Sequence, residues 1–331
     1  FDGTQFTMDI AMGADGWVYL ATRNEILRVR DRDGDGRAEE VERKLIQVQT
    51  EGTYPHNGLS GLAFDGKGGF YFGMGENLGF AYTIQGADGV SYSDQAEGGN
   101  VWHARLDGKN LRRIATGFWN PFGVCVDPAG EVFATDNDPG ERPPCRLIHV
   151  VNGGDYGFQF RYGRGGTHPF VSWDGRRPGT LPPITGVGEA PCDVLCYLPK
   201  ASPKYRGLGP QMQGRLLVAS WADHRVEAYA LTPRSGSGTF EASREVLCQG
   251  GADFWPVGLA VRGDGALFVT DWARRSYELH GSGRVWLLRQ QQARPLQQVP
   301  EWTRPVDPAT ALCDQIQHGP APSEERMLQW L

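Results

Sequence analysis

The chain has 331 residues, including 46 glycines and 22 prolines, and a formal net charge of −6. Glycine and proline are poor residues for helix interiors, so this composition excludes a mainly helical protein; the 40% hydrophobic content, with 10 Trp, 11 Tyr and 15 Phe, excludes a disordered one. The net negative charge argues against a nucleic-acid partner, and no apolar run is long enough for a membrane helix.

In chain order, four segments repeat one pattern: a short alternating strand, a turn of Asp, Gly or Pro, and a second short strand. They are residues 8–20, 60–72, 122–134 and 257–269. This pattern predicts β-hairpins. A further strand is predicted in residues 25–30, 101–106 and 284–289, and a weaker fifth unit in residues 215–231.

The long interval between the third and fifth units has room for one more blade, predicted around residues 155–160 and 194–198. Multi-stranded units that recur every 40 to 50 residues or so are typical of propeller blades. The sequence therefore predicts an all-β, six-bladed β-propeller over residues 1–290. A β-sandwich with chance similarity between its hairpins is the alternative.

The composition changes after residue 290. Asp307-Pro308 is a good start for a helix over residues 309–317, and Ser323 is a good start for a second one. Residues 291–331 are therefore predicted to be a linker and a short helical tail, the beginning of a helical region that continues past Leu331. Because the chain starts at Phe1, we also expect a trimmed N-terminus.

The six cysteines form no Cys-x-x-Cys pair, which excludes a zinc ribbon, a thioredoxin motif and covalent c-type haem attachment within this chain. Their even number is consistent with disulfides in an exported protein. Scattered buried thiols are equally consistent with the sequence, and both interpretations stay open at this point.

One acidic loop has the spacing of a twelve-residue calcium loop. Its carboxylates stand at loop positions 1, 3, 5, 9 and 12, with Gly36 at position 6 for the sharp turn. They are Asp31, Asp33, Asp35, Glu39 and Glu42. The flanking segments look like strands, so we expect a structural calcium site and not a helix-loop-helix sensor. The alternative is a charged surface turn.

Two polar segments stand at the same phase of the repeat. Residues 54–59 and 73–77 flank the second hairpin, and residues 117–123 and 135–140 flank the third. In a propeller such loops converge at one opening, which makes His56 a candidate general base. Trp119 at that opening is a candidate platform for a sugar or quinone ring. The alternatives are a histidine satisfied within its loop and an aromatic residue packed between blades.

Several landmarks resemble the glucose/sorbosone dehydrogenase family, in the same order along the chain. The first is HNGLSGLAFDG, which starts at His56, and the second is GFWNPFG at 117–123. Asp138-Pro139 and GGDYGF at 153–158 follow. The resemblance covers roughly residues 50–290 and is closest to the planctomycete-type membrane-bound dehydrogenase domain branch.

The resemblance implies a six-bladed propeller that binds pyrroloquinoline quinone (PQQ) and calcium and oxidises a small carbohydrate. By this resemblance, His56 is the base, Asn120 contacts PQQ, and the backbone carbonyls of Asp138 and Pro139 bind calcium. Members of this branch are often followed by helical repeats and a cytochrome c, which implies a cytochrome as electron acceptor. A periplasmic or secreted location is expected.

The chain also departs from the family pattern. Trp119, Phe254 and Pro256 stand where the family has arginines, and Ala222 stands where it has a lysine. The remaining residues predicted to bind the cofactor, besides Asn120 and Trp119, are Arg161, His224 and Arg225. Two other functions therefore stay open: a carbohydrate lyase or hydrolase that uses His56 with a metal, and a carbohydrate-binding propeller without catalysis.

Overall fold

The computed structural model describes residues 1–200, 202–276, 278, 280–292 and 294–296. In chain order its strands are β1 (Thr7–Met12), β2 (Val18–Thr22), β3 (Glu25–Arg30), β4 (Glu40–Thr50), β5 (Leu59–Phe64), β6 (Gly69–Met74), β7 (Tyr82–Gly86), β8 (Ser91–Asp94), β9 (Gly99–Arg105), β10 (Arg112–Phe118), β11 (Val124–Val126), β12 (Val132–Asp136), β13 (Cys145–Val150), β14 (Gly154–Asp155), β15 (Thr185–Val187), β16 (Pro191–Cys196), β17 (Ser202–Tyr205), β18 (Leu216–Ser220), β19 (Arg225–Pro233), β20 (Phe240–Gln249), β21 (Pro256–Val261), β22 (Leu267–Asp271), β23 (Arg284–Leu288) and β24 (Arg294–Leu296). Three short 3₁₀ helices, Pro55–Asn57, Phe160–Tyr162 and Pro210–Met212, are the helices of this part of the chain.

Most of these strands form consecutive blades. The first blade has the order β1-β2-β3-β4-β7-β8, the second β5-β6-β9-β10-β14, the third β11-β12-β13-β15, the fourth β16-β18-β19-β20 and the fifth β21-β22-β23. Strands β17 and β24 form a separate two-stranded sheet. The first strands of successive blades contact one another, from β1 to β5, β11, β16 and β21. These first strands therefore lie innermost, around the axis of an all-β propeller.

The prediction of six blades is not confirmed, because the described residues form five. The blade expected around residues 155–160 and 194–198 does not exist as a unit: β14 adds to the outer edge of the second blade, and β16 is the first strand of the fourth. Much of the intervening segment packs as loop, with Trp173 buried against Phe158. The interval between the third and fifth predicted units is long enough for a further blade, but its residues join or pack against blades that other strands form.

The predicted hairpins are confirmed. Residues 8–20 form β1 and β2, residues 60–72 lie in β5 and β6, and the third and fifth blades begin with the hairpins predicted at 122–134 and 257–269. All four pairs are antiparallel. The reason is local: an alternating strand on each side of a turn-forming Asp, Gly or Pro pairs with itself before any long-range contact is needed.

The core lies between the faces of neighbouring blades. Between the first and second blades, Tyr19, Phe70 and Trp102 are fully buried in one cluster. Another cluster joins the third and fourth blades through Phe133 and Tyr229. Each large apolar side chain buried in this way contributes about 2–3 kcal/mol relative to exposure. An aromatic-rich core between the faces of neighbouring blades therefore fixes the positions of the strands, and with them the positions of the loops at the strand ends.

The five cysteines in the described part of the chain are free thiols, and Cys125 and Cys196 pack in the same core cluster. The open question of disulfides or buried thiols is thus answered as thiols for these five. The helices predicted at 309–317 and from Ser323 lie outside the described residues. Among the helices that the structure does describe, none has the length and apolar character that crossing a membrane would require.

Candidate functional site

The loops at one end of the propeller carry most of the predicted site. Because neighbouring strands are antiparallel, each blade's first strand begins at the end where its second strand finishes. His56, Asn120 and Glu189 precede first strands at this end, and Asp138 and Trp221 follow second strands there. We call this end the mouth. The structure therefore brings His56, Asn120 and Asp138 to one end, as the repeat phase predicts.

His56 is presented by a 3₁₀ turn. Pro55 begins this turn, for which its fixed backbone angle is suited, and His56 is the second residue. The imidazole is partly buried, with its ring centre 5.5 Å from that of Tyr54. Burial lowers the pKa of His56 below its usual 6.5. At neutral pH the ring is therefore uncharged, which is the protonation state that a general base needs.

The loop that carries His56 meets the loop of the third blade at Gly75. A Cβ at that position would lie 2.5 Å from Oδ1 of Asn120 and 2.8 Å from Cα of Asn57, so only glycine allows this approach. The Asn57 side chain donates to the carbonyl of Glu76. Asn120 is 4% exposed, and its Oδ1 accepts no hydrogen bond from the residues described. A buried amide oxygen is thus held beside the loop of the candidate base.

Trp119 does not have the exposed ring face that a ligand platform needs. It is 4% exposed, meets Phe158 edge-on with ring centres 5.3 Å apart, and stacks with Phe160 at 6.3 Å and 11°. Its backbone N–H donates to the carboxylate of Asp136 at 3.1 Å. Of the two interpretations of Trp119, the geometry favours packing.

The other residues predicted to bind the cofactor are already engaged. Arg161 pairs with Glu97 at 2.6 Å, and Arg225 pairs with Asp223 at 2.8 Å. His224 places Nδ1 2.7 Å from the carbonyl of Phe254. PQQ has three carboxylates, which guanidinium and ammonium groups hold best through charge-assisted hydrogen bonds. The predicted residue set does not fit PQQ, and we derive no step through it.

A candidate metal group lies at the mouth beside the predicted Asp138-Pro139. Ligand atoms of Asp138, Cys145 and Glu189 lie within 4.8 Å of one another. Cys145 is fully buried, its Sγ–H donates to Asn137 at 3.1 Å, and burial raises the pKa of its thiol. The thiol is therefore protonated and a poor metal ligand. The two carboxylates are oxygen donors of the kind that calcium prefers, and they would supply two of the six to eight or so oxygen ligands that calcium takes.

Sequence reasoning missed Glu189, although it stands directly before the fourth blade's first strand, at the phase of His56 and Asn120. Burial raises the pKa of Glu189, and the nearby charge of Asp138 raises it further. A cation between the two carboxylates would remove that repulsion.

The acidic loop connects β3 to β4, which places it at the end of the propeller opposite the mouth. Four of its carboxylates converge, with ligand atoms within 4.8 Å of one another, and all four residues are exposed: Asp31, Asp33, Asp35 and Glu39. The N–H groups of Gly36 and Gly34 donate to Asp31 and lower the pKa of that carboxyl. A cation in this loop would be structural, because the loop is remote from His56.

The structure does not bring Glu42 into this loop. Glu42 lies on β4 directly opposite Arg28 on β3, and their side chains form an ion pair of 2.6 Å. The calcium loop therefore reaches only to Glu39. The sequence spacing suggested a twelfth-position ligand, but the pairing of β3 with β4 directs Glu42 to a different partner.

A second feature that sequence reasoning missed is a group of tryptophans on the fourth and fifth blades. The ring centre of Trp221 lies 4.4 Å from that of Trp255 and 5.6 Å from that of Trp272. Trp255 directly precedes Pro256, in the place where Asn120 precedes Pro121, so the repeat phase could have placed it at the mouth.

No family model and no curated protein matches the sequence of this chain. Solved structures do match its fold. A glucose dehydrogenase is 18% identical, with a TM-score of 0.58 over 84% of this chain and 81% of that one. The soluble aldose sugar dehydrogenase from Escherichia coli, in its apo-form, is 17% identical, with a TM-score of 0.51 over 85% of this chain and 76% of that one.

A calcium structure of a Trichoderma reesei carbohydrate-active enzyme of family AA12 is 13% identical, with a TM-score of 0.51 over 79% of this chain and 77% of that one. At these identities the comparison establishes the fold. The sequence resemblance and the structural neighbours agree on it: the chain has the β-propeller fold of the soluble sugar dehydrogenases.

Proposed function

We propose that this protein is a carbohydrate oxidoreductase that oxidises a sugar or polyol hydroxyl at the mouth of the propeller. The observation that carries the proposal is His56, a partly buried imidazole whose lowered pKa leaves it neutral, beside the loop of Asn120 and at the same end as the carboxylates of Asp138 and Glu189. The sugar dehydrogenases that share the fold support the substrate class.

In the proposed reaction His56 accepts the proton of the substrate hydroxyl. The carbon that bears this hydroxyl loses a hydride and becomes the carbon of a carbonyl group. The C–H and O–H bonds break, and the hydride carries two electrons from the sugar to an external two-electron acceptor, which the dye supplies in the assay below. Calcium at Asp138 and Glu189 would act as a Lewis acid toward an oxygen at the mouth. Asn120, which is buried beside Gly75, holds the third-blade loop against the loop that carries His56.

The resemblance identifies PQQ as the acceptor to test first, although the matched residues do not fit it. A cytochrome c that receives the electrons and a periplasmic or secreted location belong to the same proposal. The structural calcium predicted in the loop of Asp31 agrees with that location, because extracellular modules bind calcium weakly where it is abundant.

The test measures dye-linked sugar oxidation by the purified chain with calcium, with and without PQQ, and titrates PQQ binding by calorimetry. Replacement of His56 by Asn should lower the rate about 10²–10⁴-fold, because a positioned base contributes about that much. His168→Asn is the matched control: that histidine stacks on Tyr162 outside the proposed machinery, and the variant should keep the wild-type rate.

Full turnover by the His56→Asn variant would exclude His56 as the base. Absence of PQQ binding below about 100 µM, a free energy near −5.5 kcal/mol, would exclude PQQ as the cofactor.

A further inference from the structure

A buried arginine of the first blade lies against the loop that carries His56. Arg23 directly follows β2 at the mouth and is 8% exposed. It forms no ion pair with a carboxylate of the described residues, and burial lowers the pKa of its guanidinium. A buried charge without an opposite charge is costly, so its hydrogen bonds must offset the loss of hydration. The atoms that accept those bonds therefore indicate what this arginine does.

The guanidinium binds the start of the His56 loop. Its Nε donates to the carbonyl of Tyr54 at 2.9 Å, and its Nη2 donates to Oδ1 of Asn77 at 3.3 Å. Tyr54 directly precedes the 3₁₀ turn Pro55–Asn57, and Asn77 lies in the loop that follows β6. The planar fork of Arg23 thus connects the loops at the two ends of the second blade's first hairpin.

The backbone of the same residue binds the other end of the His56 loop. The carbonyl of Arg23 accepts the N–H of Leu59 at 3.1 Å. Gly58 approaches so closely that a Cβ there would lie 2.6 Å from both Cα and the carbonyl oxygen of Arg23. His56 therefore stands in a short segment, residues 54–59, whose two ends both contact Arg23.

The side chain of Asn77, which accepts from Arg23, is itself fixed. It is 4% exposed, and its Nδ2 donates to Oγ1 of Thr50 at 2.6 Å and to the carbonyl of Phe80 at 3.1 Å. A Cβ at Gly52 would lie 2.6 Å from the Asn77 Oδ1, so the loop of Gly52 closes over it. The guanidinium therefore binds to a rigid acceptor, which gives the turn beside it one position.

We propose that Arg23 is the positioning residue of His56: it holds the turn of residues 55–57 against the first blade and so keeps the imidazole partly buried at the mouth. Arg23 acts through the loop and not on the reacting atoms. The importance of this role rests on the function proposed for His56, but the position and hydration of the imidazole can be measured without catalysis.

The experiment follows the histidine ring signals by NMR during a pH titration, with the His56 signal assigned by its loss in His56→Asn. In Arg23→Gln the pKa of His56 should rise to about 6.5, because a released turn exposes the ring to water and burial no longer lowers its pKa. The substitution leaves no carboxylate of the described residues unpaired, so the variant should fold.

Arg23→Lys separates the hydrogen-bonding fork from the charge. A lysine ammonium keeps the positive charge but lacks the planar fork that reaches Tyr54 and Asn77 together. We therefore expect the pKa of His56 in Arg23→Lys to resemble that in Arg23→Gln. If lysine restored the wild-type pKa, the charge alone would set it and the proposal would be overturned.

The matched control is Arg28→Gln, which removes another partly buried arginine of the first blade. Arg28 lies on β3 toward the end opposite the mouth, where it donates to the carbonyl of Leu106 at 3.1 Å and pairs with Glu42. This variant should have a lower melting temperature and an unchanged pKa of His56. An equal shift of that pKa in both variants would assign the effect to a general loss of stability, and no shift in folded Arg23→Gln would show that Arg23 does not position the ring.

Sugar oxidation gives a second readout. Arg23→Gln should lower kcat about 10²-fold, the loss that a displacement of about 1 Å can cause, with little change in KM. Full turnover by His56→Asn would contradict the catalytic proposal, whereas the NMR titration would still decide whether Arg23 positions the ring. Failure of one proposal is thereby distinguishable from failure of the other.

Discussion

A buried ion pair supports the backbone of the mouth in the third blade. Arg146 is 1% exposed and its Nη2 lies 2.6 Å from Oδ2 of Asp136. The other carboxylate oxygen of Asp136 accepts the N–H groups of Trp119 at 3.1 Å and Asn120 at 2.7 Å. One side chain thus fixes the loop that positions Asn120, and the arginine that neutralises it is satisfied by backbone carbonyls, including that of Tyr156 at 2.7 Å.

The fifth blade has an equivalent pair of an aspartate and an arginine that is more exposed to solvent. The contributions of the two pairs to stability can therefore be compared. Asp271 accepts the N–H of Trp255 at 2.8 Å and pairs with Arg284, whose side chain is 33% exposed. Asp136→Asn should cost about 3–5 kcal/mol of unfolding free energy, because it leaves Arg146 charged and buried. Asp271→Asn should cost about 1 kcal/mol or less, since water screens Arg284.

Urea denaturation of the two variants measures both costs. Equal losses, or a smaller loss in Asp136→Asn, would contradict the assignment of the first pair as the more deeply buried support.

The protonation of His56 predicts how sugar oxidation depends on pH. A base must be unprotonated to accept the hydroxyl proton, and burial lowers the pKa of His56 below 6.5. We therefore expect kcat/KM to rise with pH through an apparent pKa below 6.5 and to be level at neutral pH. A pH–rate profile of the wild-type protein checks this, and an activity that only begins to rise above neutral pH would assign the base to another group.

At the scale of single elements, the acidic loop between β3 and β4 predicts a dependence of stability on calcium. Calcium should raise the melting temperature, because a ligand that binds only the folded state adds RT ln(1 + [L]/Kd) to its stability. Asp33→Asn should abolish the increase, since it removes one of the four converging carboxylates.

Glu42→Gln is the matched control for this loop, because Glu42 is paired with Arg28 outside the converging group. It should keep the calcium-dependent increase, although its loss of the ion pair lowers stability slightly with or without calcium. A melting temperature that chelator does not change in the wild type would exclude the site.

Local patterns were the part of this fold that the sequence could predict. The hairpin turns, the strand of residues 25–30 and the converging Asp31, Asp33 and Asp35 depend on residues that are neighbours in the chain. The partner of Glu42 and the number of blades depend on how distant strands pair. The role of β16 illustrates this: nothing within Pro191–Cys196 tells whether it completes a blade of its own or begins the fourth.

The site was predictable to the same extent. The phase of the repeat placed His56, Asn120 and Asp138 at one end, because every blade begins and ends its first hairpin in the same way. It could not separate the buried Trp119 from the partly exposed Trp255, since each stands one or two residues before a proline near the start of its blade's first strand. Only the packing of the segment that contains Phe158 and Trp173 distinguishes them.

At the scale of the whole molecule, carboxylates on the innermost strands connect neighbouring blades. Asp9 on β1 accepts the N–H of Leu62 on β5 at 2.6 Å, and Asp193 on β16 accepts the N–H of Leu259 on β21 at 2.7 Å. The equivalent position of β5 is Gly61, where a Cβ would lie 2.8 Å from the carbonyl oxygen of Phe122. The first strands thus approach so closely that this position holds either a connecting carboxylate or no side chain.

These two carboxylates predict a pH dependence of global stability. Burial raises the pKa of Asp9 from 3.8 to about 6, and burial together with the charge of Asp9 raises the pKa of Asp193. Between pH of about 4 and 6 the folded protein therefore holds a proton on Asp9 that the unfolded chain has released. The contribution of Asp9 to the unfolding free energy is then present below pH of about 4 and is lost as the pH rises through about 6.

Replacement of Asp9 by Asn tests this linkage, because an amide cannot ionise on the axis of the propeller. The free energy of unfolding should fall less in Asp9→Asn than in the wild type when the pH is raised from about 4 to about 7. Urea denaturation at both pH values measures this difference. Asp2→Asn, at an exposed position near the start of the chain, should follow the wild type. If Asp9→Asn also followed the wild type, ionisation of Asp9 would not oppose folding, and the contact between the first and second blades would be independent of pH in this range.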